Sequence, residues 1–251
     1  MTDHILVERR DAVQIIRLNR PEKKNAITRA MYAAMTAALA EGDGDDAVRC
    51  HVFLGVPGAF SAGNDLADFL AVAQGGEGGT EVFDFLFALA TSGKPVVSGA
   101  DGIAVGIGTT LHLHCDLTFA TPRTEFRTPF VDLGLVPEAG SSLLAPAILG
   151  HQQAFALLAL GESLPAERAK AAGLIHEVVG EEELEKAILA AAEAIARKPP
   201  EALRITRDLL RGPREPLLAR IREEADHFCA RLTSAEARAA FVAFLEKKKA
   251  G

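Results

Sequence analysis

Glu138 is the residue from which a chemical reading of this 251-residue chain starts. It stands in Leu133-Gly-Leu-Val-Pro-Glu-Ala-Gly-Ser-Ser142, flanked by glycines and a proline. Upstream lie two stretches rich in small residues, Phe60-Ser-Ala-Gly-Asn-Asp-Leu66 and Gly102-Ile-Ala-Val-Gly-Ile-Gly108. Small side chains leave backbone N–H groups open to a ligand. One acid facing a pair of such donors is suited to moving a proton next to a carbonyl: the donors hold an enolate oxygen and the acid carries the proton. Taken alone, each piece has a blander reading. Glu138 after Pro137 fits the first turn of a helix, where an acid complements the dipole. The pair Gly106 and Gly108 lacks the third glycine and the acidic partner of a dinucleotide site.

The elements that must position these residues can be read coarsely. Ile5–Arg9 and Ala12–Leu18 form a β-hairpin around Arg10-Asp11. Thr28 N-caps a helix running to about Glu41. Val48–Val56, Pro95–Ala100 and Asp116–Ala120 read as strands, the first two as apolar runs of the kind buried on both faces. Asp65 opens a short helix as its N-cap, Val82–Ala90 is helical, and Ile107–His114 is a short helix whose free N-terminal N–H groups suit an anion. Helices are expected over Glu138–Leu149 and Gln152–Leu160, and the Gly-rich Gln74–Gly79 reads as a mobile loop. After Val179 the pattern becomes helix only: Glu181–Arg197, Pro200–Leu210, Glu215–Arg231 and Ser234–Lys248. Strands alternating with helices, then helices alone, imply an α/β core with a helical tail, the boundary falling at Lys198-Pro-Pro200. The apolar faces of that tail need cover, which points to oligomer contacts.

Composition is that of a soluble globular protein, 49% apolar and 24% charged, with a net charge of −7 and no basic stripe to bind nucleic acid. The three cysteines are Cys50, Cys115 and Cys229. Far apart and odd in number, they carry no metal spacing or disulfide framework, consistent with a reducing cytoplasm. No secretory signal, membrane-spanning run or peroxisomal address is read, so a cytoplasmic protein without membrane contact is expected.

Several ordered motifs bring a family into view. Phe60-Ser-Ala-Gly-Asn-Asp-Leu66 resembles the F-[SC]-[AS]-G-x-D-[LI] motif of the crotonase, or enoyl-CoA hydratase/isomerase, superfamily. Lys94-Pro-Val-Val-Ser-Gly-Ala-Asp-Gly-Ile-Ala-Val-Gly-Ile-Gly108 is similar to its K-P-V-[IV]-A-A-[VI]-x-G-x-A-x-G-G-G segment. Cys115–Ala120, Phe126-x-x-Pro129 and the stretch from Gly161 to Ile175 continue the likeness, which Leu18-Asn-Arg-Pro21 and Asn25-Ala26 open. The resemblance implies an α/β, crotonase-like spiral of ββα repeats over 1–198 and a C-terminal helical domain over 199–251 used in trimer assembly, giving a homotrimer or a dimer of trimers. It also implies an acyl-CoA substrate, with coenzyme A entering as part of the substrate, no other cofactor and no metal. The oxyanion donors would be the backbone N–H groups of Asn64 and Ile107. Ala62, Gly63, Asp65, Leu66, Gly106, Phe130 and Leu133 would line the substrate site.

Departures from the family pattern narrow the expected reaction. A hydratase of this family uses two glutamates to activate water, and their positions here are Thr110 and Phe130. Gly106-Ile-Gly-Thr-Thr110, Phe126–Phe130 and Pro137–Ser142 look instead like the Δ3,Δ2-enoyl-CoA isomerase branch, where one glutamate matching Glu138 shuttles the proton. An apolar setting near Phe130 and Leu133 would raise its pKa. Hydration, isomerisation of an epoxy-arene-CoA, and non-catalytic acyl-CoA binding are the alternatives. Asp132 is the second choice of proton carrier. Asp116 reads as a structural residue at a strand end. His112 and His114, two apart, point to different helix faces and share no metal. Ser141 and Ser142 are expected to cap a helix or hydrogen-bond Glu138. Lys23, Lys24, Lys247 and Lys248 read as solvated.

Overall fold

The structure, a computed structural model, describes residues 2–65, 67–68 and 79–250, with side chains to residue 243. Leu66, most of the loop Gln74–Gly79 and the side chains of Lys247 and Lys248 lie outside the described residues. In chain order the first strands are β1 (Ile5–Arg10), β2 (Val13–Leu18), β3 (Cys50–Leu54), β4 (Ala59–Ser61) and β5 (Val96–Ala100). They are followed by β6 (Ile103–Val105), β7 (Leu117–Ala120), β8 (Glu125–Arg127), β9 (Leu164–Pro165) and β10 (Glu177–Val178). The helices of the first part are α1 (Arg29–Gly44), α2 (Glu81–Thr91), α3 (Ile107–Thr110, continued as a 3-10 turn to His114), α4 (Ser141–Leu149), α5 (His151–Leu158) and α6 (Ala166–Ala172). Then come α7 (Leu184–Ala196), α8 (Pro200–Arg211), α9 (Glu215–Leu232) and α10 (Ala235–Ala250).

Two sheets form, ordered β1-β2-β3-β5-β7-β10 and β4-β6-β8-β9. The chain steps from one to the other and back. From β3 it crosses to β4, returns through α2 to β5, crosses to β6, returns through α3 to β7, and crosses again to β8. Pairs β3–β5–β7 and β4–β6–β8 are parallel, so each ββα unit is one turn of a spiral. This is the α/β fold expected from the sequence. Strands β3 and β5 are buried at every position, as apolar strands covered on both faces should be. Edge strand β1 exposes Glu8, Arg9 and Arg10, charges that discourage edge-to-edge pairing. Strands β4, β6 and β8 were not expected. Three residues are too few to show a period-2 pattern, and two of the three lie inside the small-residue motifs.

Thr28 does cap α1, its hydroxyl oxygen accepting from the Met31 N–H at 3.3 Å. The helix buries Met31, Tyr32, Met35, Ala38 and Leu39, a stripe at helical spacing. Helix α7 covers one face of the large sheet, with Leu184, Ile188 and Ala192 packed on Val13, Ile15, Val52 and Val97. Beyond residue 198 the chain folds back on the core. Ile221, Phe228 and Leu232 of α9 and Phe241 of α10 join the same apolar cluster as α1 and α2. No helix among the described residues is long and apolar enough to cross a membrane.

An ion-paired knot fastens that C-terminal segment to the spiral. Asp116, at the start of β7, accepts from the Val96 N–H at 2.8 Å, from Arg207 Nε at 2.9 Å and from Arg211 Nε at 3.1 Å. It is the structural strand-end residue expected. Arg207 is buried and donates a further bond to Ser92 O at 2.8 Å. Removing the acid strands a buried guanidinium, which typically costs about 3–5 kcal/mol. Asp116→Ala is therefore expected to lower the melting temperature by roughly 6–20 °C in a thermal denaturation scan.

Candidate active site

Glu138 lies on a turn where the backbone is forced into the left-handed region. Ala139 has φ +62° and Gly140 φ +68°. The helix expected from residue 138 accordingly begins at Ser141, because two left-handed residues cannot open a right-handed helix. An alanine at positive φ is uncommon and costs energy unless its surroundings hold it there. Three groups do so. The Thr110 hydroxyl donates to Glu138 Oε1 at 2.5 Å. His114 Nε2 lies 2.7 Å from Ala139 O. A carbonyl only accepts, so Nε2 carries the proton. Glu224, reaching in from α9, accepts from the Gly140 N–H at 2.5 Å, from the Ser142 N–H at 2.9 Å and from Ser142 Oγ at 2.5 Å.

The Glu138 side chain is 5% exposed and forms part of the wall of an apolar cavity together with Ile27, Tyr32, Asn64, Leu86 and Phe228. Glu138 Oε2 accepts no hydrogen bond among the described residues. Burial pushes the carboxyl up to about 8, against the pull of the Thr110 hydroxyl and with a further push from Glu224. The direction is the one expected, but the apolar surroundings differ. Phe130 is buried in the core, Leu133 packs against that core, and neither lines this cavity. Any reaction in which Glu138 takes a proton needs its ionised form, so kcat/KM should climb with pH and level off only above about 8. A pH–rate profile checks this; a plateau already reached at pH 6 would mean an ordinary carboxylate.

The two backbone N–H groups expected as donors, those of Asn64 and Ile107, follow β4 and β6 of the small sheet. Strand β4 runs parallel to β6, with Ala59 opposite Ile103 and Ser61 opposite Ala104. Just beyond, Gly63 lies against the next strand, where a Cβ added to it would sit 2.9 Å from Val105 O and 4.0 Å from Gly106 N. Asn64 and Ile107 are thus the next residues of two adjoining segments. The neighbours of Asn64 both bond Ile27: the Ile27 N–H donates to Gly63 O at 2.8 Å and the Asp65 N–H to Ile27 O at 2.9 Å. Because N–H groups alternate sides along an extended chain, the Asn64 N–H faces away from Ile27. Ile107 opens α3, where first-turn N–H groups have no partner within the helix. Neither N–H donates to an acceptor among the described residues.

The remaining expected site residues divide. Ala62, Gly63 and Gly106 build the backbone of the donor loops, with Gly63 at φ +88° and Gly106 at φ +56°. Asp65 does not line the cavity; its Oδ1 accepts from Ala67 N at 2.9 Å, as an N-cap should, and its Oδ2 pairs with Arg20 at 2.6 Å. Asp132 is exposed beside Arg127 at 3.3 Å and is no proton carrier for this cavity. Ser142 bonds Glu224 and not Glu138. Lys23 and Lys24 are exposed. Burial pushes His112 down to about 3 and His114 down to about 4, so both are neutral; His112 Nδ1 pairs with Ser98 Oγ at 2.8 Å. No three His, Cys, Asp or Glu side chains converge among the described residues.

Three further groups shape the site. Thr110 registered only as a missing glutamate. Tyr32, the chain's single tyrosine, lies buried on α1, and its hydroxyl donates to Asn64 Oδ1 at 2.5 Å. Burial, and then the nearby Glu138 and Asp68 carboxylates, hold its phenol well above the usual range. Glu224 looked like one more acid on an amphipathic helix. The available signal was its phase, three residues after Ile221 and four before Phe228, on the buried stripe.

The family described as enoyl-CoA hydratase/isomerase matches residues 8–251. Enoyl-CoA delta isomerase 2 of Rattus norvegicus is 36% identical over 250 residues, 97% of this chain; the chain spans 64% of that relative's length. 1,2-Epoxyphenylacetyl-CoA isomerase of Escherichia coli (strain K12) is 31% identical, with 99% of this chain and 97% of the relative covered. Among solved structures, OdaA of Pseudomonas aeruginosa superposes with a TM-score of 0.92 at 41% identity, covering 97% of this chain and 99% of that one.

Proposed function

The chain belongs to the enoyl-CoA hydratase/isomerase family, the crotonase superfamily, and from that membership we propose that it is an isomerase of enoyl-CoA thioesters, moving the double bond of a 3-enoyl-CoA to the 2-position. The observation that carries this reading is the state of Glu138: buried on the cavity wall, Oε1 occupied by Thr110, Oε2 without a partner among the described residues. Other acids near it are engaged or differently placed. Both Glu224 oxygens are taken by the turn, and Asp68 accepts from the Arg29 N–H at 3.0 Å.

In this mechanism the thioester oxygen binds the N–H groups of Asn64 and Ile107. Glu138 takes a proton from C2, whose acidity the carbonyl and the adjacent double bond both raise. The negative charge collects on the thioester oxygen, where two preorganised donors meet it; each such donor is typically worth roughly 100- to 1,000-fold in rate. The protonated Glu138 then gives the proton to C4. Its raised pKa makes it a stronger base when ionised and a competent acid once protonated. Hydration needs a second carboxylate to ready water, and Thr110 and Phe130 stand at both hydratase positions. Coenzyme A enters as part of the substrate, and the chemistry calls for no other cofactor or metal.

A second reading, isomerisation of an epoxy-arene-CoA thioester, is favoured by the end-to-end match to the Escherichia coli relative. A spectrophotometric screen across 3-enoyl-CoA chain lengths, with 2-enoyl-CoA hydration and an epoxide substrate run in parallel, separates the readings. Formation of 2-enoyl-CoA without 3-hydroxyacyl product is the expected result; hydration alone, epoxide turnover alone or no turnover would reject it. We further propose a homotrimer or dimer of trimers. Leu209 and Leu210 at the end of α8 are 78% and 83% exposed, apolar surface that assembly would cover. Sedimentation as a monomer would reject that.

A further inference from the structure

We infer that Glu224 is a positioning residue for Glu138, and that helix α9 joins the proton-transfer turn to the wall of the acyl cavity. The inference rests on the reading of Glu138 as the acid–base group. Glu224 comes from 86 positions further along the chain, is buried, and spends both oxygens on the turn that carries Glu138. Its bonds fall on the second left-handed residue and just beyond it: the N–H of Gly140, which follows Ala139 directly, and the N–H and hydroxyl of Ser142. An isolated Ala139–Gly140 segment would relax out of that conformation, and Glu138 would move with it. Glu224 holds the segment from the helix side, while the His114 imidazole holds Ala139 O from the core side.

The same face of α9 continues into the cavity. Phe228 and Leu232 follow Glu224 at four and eight residues, on one helical stripe, and both line the cavity with Glu138. A rigid helix therefore fixes two things at once, the depth of the apolar wall and the pose of the acid. Other charged or titratable groups around the pair are accounted for. Tyr32 faces Glu138 from α1, Asp68 and Arg29 stand on the cavity wall, and Cys229 lines it from α9. Arg220 bonds Ser142 Oγ at 3.1 Å and pairs with Glu223 at 3.0 Å. Burial pushes the Glu224 carboxyl up, opposed by its three donors and Arg220. Among the described residues it meets three donors and no acceptor, which suits the ionised form.

Glu224→Gln tests this, because the amide keeps the size but offers an N–H₂ where the turn presents donors, and it removes the charge. The expected result is a 10- to 100-fold fall in kcat with KM within about threefold. The Glu138 titration, followed by NMR of 13C-labelled glutamate carboxyls and assigned by its loss in Glu138→Gln, should move below its starting midpoint of about 8. A purely structural role would lower the melting temperature and leave the midpoint where it was, and that result overturns the proposal, as does an unchanged kcat. The NMR arm needs no turnover, so a failure of the isomerase assay on wild-type protein stays distinct from a failure here. Should Glu224→Gln not fold, Ser142→Ala removes one donor and keeps both backbone bonds. A several-fold loss of kcat at constant KM then supports the proposal, and wild-type kcat rejects it.

Discussion

Glu138→Gln should lower kcat on a 3-enoyl-CoA by roughly 10²–10⁴-fold while leaving KM near the wild-type value. The substitution keeps the acceptor for the Thr110 hydroxyl, so the turn and the cavity wall should persist; what is lost is the carboxyl proposed to take a proton from C2 and return it at C4. The same variant supplies its own folding control. In the wild type the folded-state pKa is raised from 4.5 to about 8, so the neutral carboxyl is the form that the fold favours. That contribution is fully present below the unfolded value and disappears as pH rises from about 4.5 to about 8. Glutamine does not titrate. Glu138→Gln should therefore melt close to wild type at pH 4.5 and above it at pH 9, by on the order of 10–20 °C. A variant that is inactive yet more stable in alkali cannot owe its inactivity to unfolding. Equal activity of the two proteins, or a lower melting temperature for the variant at pH 9, would contradict the role assigned to this carboxyl.

Gly63→Ala carries the next largest effect, with no chemical group removed. Gly63 holds φ +88°, and a methyl there meets Val105 O at 2.9 Å, a fixed backbone atom. Relief requires the β4 end to move away from β6, or the φ of residue 63 to change; either displaces the N–H of Asn64 relative to that of Ile107. Loss of one oxyanion donor typically costs 100- to 1,000-fold in kcat, and a fall in that range is expected here. Binding of a saturated acyl-CoA, measured by calorimetry, should weaken far less, since the oxyanion contact strengthens mainly as charge develops. A variant that loses binding and turnover in equal measure would place Gly63 in substrate binding and not in the donor pair.

Much of this site was legible in the chain because its parts are local. The donor loops are contiguous motifs of small residues, Glu138 sits in a Pro–Glu–Ala–Gly turn, and the central strands are apolar runs that only a doubly covered sheet explains. What stayed hidden depends on contacts between distant segments. The start of α4 was placed three residues early because alanine carries no local sign of a left-handed backbone; Ala139 takes φ +62° under constraints from residues 114 and 224. Thr110 stands where a hydratase carries a carboxylate, and in the folded chain its hydroxyl bonds the Glu138 carboxyl instead. Tyr32 is apolar by phase and polar by its tip, and only the folded arrangement shows that tip against Asn64. Asp132 illustrates the converse: close to Glu138 in the chain, it points to solvent beside Arg127.

The most direct test of the central claim is a crystal structure of the protein with a saturated, unreactive acyl-CoA. The expected result is a thioester oxygen about 3 Å from both the Asn64 and Ile107 nitrogens, with Glu138 Oε2 turned toward the acyl carbons C2 and C4 and the acyl chain running along Phe228 and Leu232. A thioester oxygen bound elsewhere, or a Glu138 carboxylate directed away from the α-carbon, would contradict it.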